Sequence, residues 1–476
     1  MKYQNRNEIP DSYKWDIELI FPSADAFLKE LKDVDVAKDI LVEFKGKLND
    51  KATIKKALDN LYSINKRLDR LYFYAARRFD VDITNSESQN LRSQIHTLGS
   101  NIETMISYMI PELTKLSDEK IKELIADKDL QDYSEYFKEL LRQKAHTLSN
   151  DEEMLLSMFG SNAGSFSSIF DMIDNADMKF GTIKDENGND IKVTHAQYSQ
   201  CLSSADRRVR KDAFNSYYKM YRDTLNTIST NFAASVKQDW IFAKAKKFTS
   251  CLEQAMYNEN IPTCVYTNLI ESIGNNTKLM HEYMALRKEV MGLDELHMYD
   301  MHTSIVNGVE KHYEIEEAFE LVKEGLKPLG ENYVALLDEA MKNRWVDVYE
   351  TPGKTNGAYS SGICDIHPYV LLNYDHTLVG ISYIAHELGH AMHSYLSTHT
   401  QVYPKAYYPI FLAEIASTTN EVLLIKYLLS KTDDKEMKKY LLSHYIDKFR
   451  SSAFRQSMFA EFEEIAHSME EKGEPL

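Results

Sequence analysis

The stretch "IKKALDNLYSINKRLDRLYFYAARRF", Ile54 to Phe79, returns apolar residues at Ile54, Leu58, Leu61, Leu68 and Leu71 with charged residues between them. Spacing of i, i+3/i+4, i+7 draws one apolar stripe along a helix and cannot serve a strand, whose side chains alternate with a period of two. Its neighbours repeat the pattern: "ADAFLKELKDVDVAKDILVEFKGKL" from Ala24 and "LRSQIHTLGSNIETMISYMIPELTKL" from Leu91. The chain up to about Lys144 therefore reads as long helices packed side by side, with their aromatic and Met positions in the core.

Composition agrees with a mainly α protein. Gly (17) and Pro (10) are scarce in 476 residues, roughly 4% and 2% against about 7% and 5% on average. The length suits two or more packed subdomains. One β-hairpin is predicted where Asn187-Gly188 separates the alternating runs Phe180 to Lys184 and Asp190 to Val193, because that dipeptide supplies the two positive φ angles of a tight turn. It suggests a boundary, with residues 1–195 as an N-terminal helical region carrying the hairpin near 180–193, and 196–476 as a second domain. Helical patterning resumes at "DRRVRKDAFNSYYKMYRDTL". The basic group Arg207, Arg208, Arg210 and Lys211 is expected to be a solvated helix end, since charge runs usually face water.

Charge excludes two partner classes. With 56 basic and 73 acidic residues the net charge is −17, which repels nucleic-acid backbones and anionic lipid surfaces. No nucleic-acid or membrane partner is expected. Cys201, Cys251, Cys264 and Cys364 are scattered, with no CxxC and no disulfide framework, and the N-terminus lacks the apolar core of a secretory signal. The reading is a cytoplasmic protein with ordinary thiols. No GxxxxGK[ST] and no strand-borne GxGxxG occurs, so nucleotide chemistry has no foothold.

Trp345 to Tyr374 differs from its surroundings: "TNGAYSSG" is a loop and "YVLLN", Tyr369 to Asn373, is a strand-like run. A small β element should thus lie beside the segment that follows, "YIAHELGHAMHSY", Tyr383 to Tyr395. On a helix His386 and His390 are about 40° apart in azimuth and 6 Å in rise, so both imidazoles can meet one tetrahedral zinc, with Glu387 beside the metal as a general base. Chance would give HExxH only roughly 0.04 times in such a chain. A catalytic zinc needs a third protein ligand. Glu414, set among Phe411, Leu412 and Ile415 in the helical run "PIFLAEIASTTNEVLLIKYLLSK", is the candidate, because a carboxylate beside an apolar stripe is costly unless bound. Glu421, two turns on, either accepts a ring N–H from a ligand histidine or stands as a surface charge. His393 is read as a hydrogen-bonded supporting residue rather than a fourth ligand, since four protein ligands would close the site. His367 and His376 are read as turn or surface histidines, with a lesser chance that His367 lines a cleft.

The motifs "AHELGHAMHSY" and "AEIASTTNE", with "GAYSSG" and "HPYVLLNY" before them, together resemble oligoendopeptidase F, within the thimet-oligopeptidase-like zinc peptidases. "IPDSYKWDIELIF", "NIPTCVYTNLIESI", "GLDELHMYD" and "RQSMFAEFEEIAH" extend the likeness over nearly the whole chain. The resemblance implies a multi-helical peptidase fold enclosing a deep substrate channel, with 196–476 as the catalytic domain. It also implies one zinc per chain and cleavage of oligopeptides but not folded proteins. By position it makes His386, His390 and Glu414 metal ligands, Glu387 the catalytic base, and Gly357, Ala358 and Tyr359 substrate contacts. Members of the family continue past the equivalent of "EEKGEPL", so the catalytic domain is expected to be C-terminally incomplete. The alternative is a catalytically impaired fragment or peptide-binding form that keeps the zinc site. Oligomeric state is left open.

Overall fold

The computed structural model describes residues 3–306 and 311–476. Helices dominate, and the strands among the described residues are two or three residues long. No described helix is long and apolar enough to cross a membrane. The chain divides into two compact units, each assembled from two separate stretches of sequence.

The first unit joins Met1–Ala145 to Glu310–Thr432. Its N-terminal part contains helix α1 (Lys51–Val81) and helix α2 (Ser86–Ile106), which pack on each other. Asp50 caps α1 by accepting from the Thr53 N–H, and Asn85 caps α2 by accepting from the Ser88 N–H, each satisfying an otherwise orphaned donor. The predicted stripe is buried: Ile54, Leu58, Leu61 and Leu71 all lie in the core.

The same core receives Tyr369 and Leu371 from far along the chain. They sit on the central strand of a three-stranded sheet formed by β1 (Val346–Asp347), β2 (Tyr359–Ser361) and β3 (Tyr369–Leu371), in the order β1-β3-β2. β1 runs parallel to β3, and β2 runs antiparallel with Ser360 opposite Val370. Trp15 pins this sheet to the N-terminal segment. Its indole N–H lies 3.0 Å from the Trp345 carbonyl and 2.8 Å from that of Val370. Beneath the sheet's β1 edge, Lys354 is buried with its ammonium against Asp347 and the carbonyls of Tyr349 and Leu372, so it acts as a structural cation.

Three further helices of this unit bear on the site: α3 (Ile315–Leu326), α4 (Leu378–Thr400) and α5 (Ile410–Lys431). α4 and α5 pack along each other and α3 packs against both. Ile384, Ala385, Leu388, Ala391 and Met392 of α4 have no exposed surface.

The second unit joins His146–Val309 to Asp433–Leu476. The predicted hairpin is present: Thr182–Lys184 and Asp190–Lys192 pair antiparallel, with Gly188 at φ 84° in the turn. It packs on the helix Arg207–Asp223. That helix corrects one expectation. Arg208 and Lys211 are exposed, but Arg210 is buried, and Arg207 and Arg210 both grip the fully buried Asp300 carboxylate at 2.9 to 3.1 Å. A buried carboxylate must be paired to be tolerated, and it draws in two of the four cations.

Candidate metal centre

α4 begins at Thr377, whose hydroxyl accepts from the Gly380 N–H at 3.0 Å and donates to Asp375 at 2.7 Å. His386 and His390 then fall on successive turns, their rings 4.8 Å apart and nearly perpendicular. Their Nε2 atoms are 3.2 Å apart, and Glu414 Oε2 from α5 lies 3.4 Å from the first and 3.6 Å from the second. These donors converge as one of two such clusters among the described residues.

The triangle fits a tetrahedral metal. Ligand atoms about 2.1 Å from one centre at tetrahedral angles stand about 3.4 Å from each other, which is the mean of the three separations. Two imidazole nitrogens and one carboxylate oxygen at this range are a donor set that suits a zinc ion.

Close approach of α4 and α5 makes the convergence possible, and Gly389 inside the motif permits it. A methyl group there would meet the Ser417 Cα at 2.7 Å and the Ala416 carbonyl at 2.9 Å. Asn420 fastens the same seam, donating to the Ala385 carbonyl at 3.0 Å while accepting from the Tyr333 hydroxyl at 3.0 Å. Neither Tyr333 nor Asn420 carried a signal in the sequence, since amide and phenol groups in helices are ordinary there.

Glu387 is buried, and that burial pushes its carboxyl up to about 7. The Ser360 backbone N–H of β2 favours the ionised form and offsets part of the effect. Glu421 is not a surface charge: it is 4% exposed, and its Oε1 stands 3.2 Å from His386 Nδ1. His393 stacks on Tyr408 with ring centres 3.7 Å apart and is not among the converging donors.

Glu414 is in place for a different reason from the one its neighbours suggested. Phe411, Leu412 and Ile415 are exposed, and the Glu414 side chain is itself 54% exposed. Apolar composition of a helical segment does not reveal which face the fold buries.

The loop before β2 is held by Asn373, which donates to the carbonyls of Thr355 and Gly357 at 2.9 and 2.8 Å. Gly357 adopts φ 82°. Tyr359 turns its ring inward, under the Arg77 guanidinium and with its hydroxyl on Asp80. Of Gly357, Ala358 and Tyr359, the tyrosine is held on both sides, its ring under Arg77 and its backbone paired with Leu371 across the sheet. His367 is sandwiched in stacking contact with Trp345 and Tyr369, its ring 5.0 and 4.5 Å from theirs. Burial lowers its pKa.

The family model described as peptidase family M3 matches residues 200–476, and one described as oligopeptidase F matches residues 112–180. Oligopeptidase PepF of Bacillus subtilis (strain 168) is 41% identical over 474 residues, covering 99% of this chain and 71% of the relative. A crystal structure from Chlamydophila abortus superposes with TM-score 0.90 at 35% identity, covering 100% of this chain and 80% of the other. Oligoendopeptidase-F from Enterococcus faecium superposes with TM-score 0.70 at 31% identity, covering 94% and 76%.

Proposed function

The chain belongs to peptidase family M3, and from that premise we propose that it is a zinc-dependent endopeptidase acting on short peptides. The observation that carries the reading is the triangle of His386 Nε2, His390 Nε2 and Glu414 Oε2, whose sides of 3.2 to 3.6 Å suit one metal ion. These three residues would hold one zinc. When bound, zinc supplies Lewis acidity that polarises a carbonyl and makes a water acidic near neutral pH.

Glu387 supplies the proton traffic. Its carboxylate takes a proton from the attacking water as the new C–O bond forms, and returns it to the amide nitrogen as the C–N bond breaks. Glu421 holds His386 by accepting its Nδ1–H, which fixes the tautomer and aims Nε2 at the metal. Here His393, stacked on Tyr408, supports the helix rather than the ion.

In this reading β2 receives the substrate. It lies at one edge of its sheet and packs against α4. An extended peptide can add to such an edge through main-chain hydrogen bonds, which read no side chain and suit a peptidase of broad sequence tolerance. In this reading Gly357 and Ala358 meet the peptide with their backbones, and a deep channel excludes folded proteins.

The test is cleavage of an internally quenched short peptide by the 476-residue chain, with intact casein as the comparison. Glu387→Gln should keep its zinc and lose turnover, a chelator should abolish cleavage, and casein should be cut far more slowly. Full activity of Glu387→Gln would remove the proposed base.

A further inference from the structure

We propose that Asp80, at the C-terminal end of α1, is a positioning residue for peptide hydrolysis: through Tyr359 it sets the place of Ser360, whose main chain faces both the incoming peptide and Glu387. This assignment rests on the catalytic reading above and adds to it a residue outside the metal centre.

The register of the sheet decides which way Ser360 points. Val370 lies opposite Ser360, yet its N–H donates to the Trp345 carbonyl at 2.7 Å and its carbonyl accepts from the Trp15 indole at 2.8 Å. Leu372 likewise donates to the Asp347 carbonyl at 2.8 Å. Antiparallel partners alternate between pairs that exchange hydrogen bonds and pairs that do not. Tyr359 and Ser361 are therefore the residues bonded to β3, and the N–H and carbonyl of Ser360 point to the open edge. Glu387 stands beside that edge, since the Ser360 N–H favours its ionised form.

A strand of three residues needs an anchor, and α1 supplies it. The Tyr359 hydroxyl donates to the Asp80 carboxylate. Burial, and the carboxylate beside it, hold that hydroxyl well above the usual tyrosine range, so it remains a donor at any ordinary pH. The Thr355 N–H donates to the Asp80 carbonyl at 2.8 Å, and the Ile83 N–H donates to the Gly353 carbonyl at 2.8 Å. Arg77, one turn before Asp80, is 7% exposed; its guanidinium lies 4.9 Å from the centre of the Tyr359 ring and donates to Asp80 at 3.3 Å.

Asp80 thus gathers the loop before β2, the first side chain of β2 and a buried cation. Hydrogen bonds to a charged acceptor are about twice as strong as neutral ones. A rigid ring held at its far end fixes the Cα it hangs from, and Ser360 is the next residue. Misplacing a group at a reacting centre by 1 Å can cost about 10²-fold in rate.

The experiment is a double-mutant cycle on the intact zinc-loaded chain, with Asp80→Ala, Tyr359→Phe and the pair. Zinc content, circular dichroism and melting temperature are recorded for each. Tyr359→Phe keeps its ring under Arg77, so it serves even where Asp80→Ala fails to fold. Two readouts are taken: kcat and KM for an internally quenched peptide, and the affinity of a labelled peptide with a reduced central amide, by fluorescence anisotropy. Each single variant should keep its zinc, lower kcat/KM about 10- to 100-fold, and bind the uncleavable peptide more weakly. The double variant should be no worse than the worse single, as for two residues acting through one contact. Asp80→Asn, which keeps an acceptor for the hydroxyl, should regain part of the loss. Wild-type kcat, KM and peptide affinity in folded Tyr359→Phe overturn the proposal, as do losses that simply add. A wild type that binds the peptide without cleaving it fails the catalytic reading alone, and the variants' affinities then decide whether Asp80 sets the edge. A wild type that neither binds nor cleaves overturns both.

Discussion

His386 Nδ1 lies 3.2 Å from Glu421 Oε1, so a carboxylate buried on α5 holds a ring on α4 whose opposite nitrogen faces Glu414. Removing the carboxylate should loosen the ring without removing a donor. Glu421→Gln is expected to weaken zinc binding about 10- to 100-fold. Competition against a chromophoric chelator measures this, and an unchanged affinity would show that the ring is held by other means.

Gly389→Ala separates two opposing effects. In an ordinary helix interior the change stabilises by roughly 0.5–1 kcal/mol. Here the new methyl would stand 2.7 Å from the backbone of α5. The expected outcome is a net loss of about 1–3 kcal/mol, as for other overpacked sites, together with weaker zinc binding as Glu414 is pushed away. A rise in melting temperature would mean that the two helices separate at little cost.

Asn420→Ala removes the second donor from the Ala385 carbonyl, which keeps its bond within the helix, and leaves the Tyr333 hydroxyl without its acceptor. A half-buried group stranded in this way costs about 1–3 kcal/mol. Chemical denaturation should show a loss in that range or above it. Asn420→Asp should be worse at neutral pH than at pH 4, because a carboxylate cannot donate to the carbonyl of Ala385.

Asp300 gives the second unit a pH dependence of known sign. Burial alone would raise its carboxyl, but Arg207 and Arg210 outweigh burial and hold it below the ordinary carboxylate range. A group with a depressed folded pKa stabilises fully above its unfolded value of about 3.9 and loses that contribution as pH falls toward the folded value. Stability of wild type measured in urea should therefore drop as pH falls from about 4 to 3. Asp300→Asn should cost about 3–5 kcal/mol at pH 7, since it strands two buried or half-buried cations, and should flatten the slope. An equal slope in both proteins would place the acid sensitivity elsewhere.

Much of this architecture was legible because its signals are local. The stripe from Ile54 to Leu71, the Asn187-Gly188 turn and the four-residue interval between His386 and His390 each encode geometry within a turn or two of chain. What was not legible depends on partners distant in sequence. Arg210 looks like any helix-end cation until Asp300 arrives beside it. Glu421 could be placed on either face of its helix until His386 met it. The sandwich of His367 between Trp345 and Tyr369 joins three residues whose spacing carries no pattern. His376 exchanges hydrogen bonds with Tyr313, 63 residues before it, and no local pattern announces that pairing.

Trp15 imposes an order of events during biosynthesis. The acceptors of its indole lie 330 and 355 residues downstream. At a synthesis rate of about 5–20 residues per second, that donor waits roughly 20–70 s for Val370 to be made. Meanwhile the N-terminal helices present part of their core to solvent, and the whole second unit up to residue 309 is synthesised in between. A nascent chain of this design needs protection from aggregation over that interval, and the triangle of His386, His390 and Glu414 is completed only after it, when Glu414 is made.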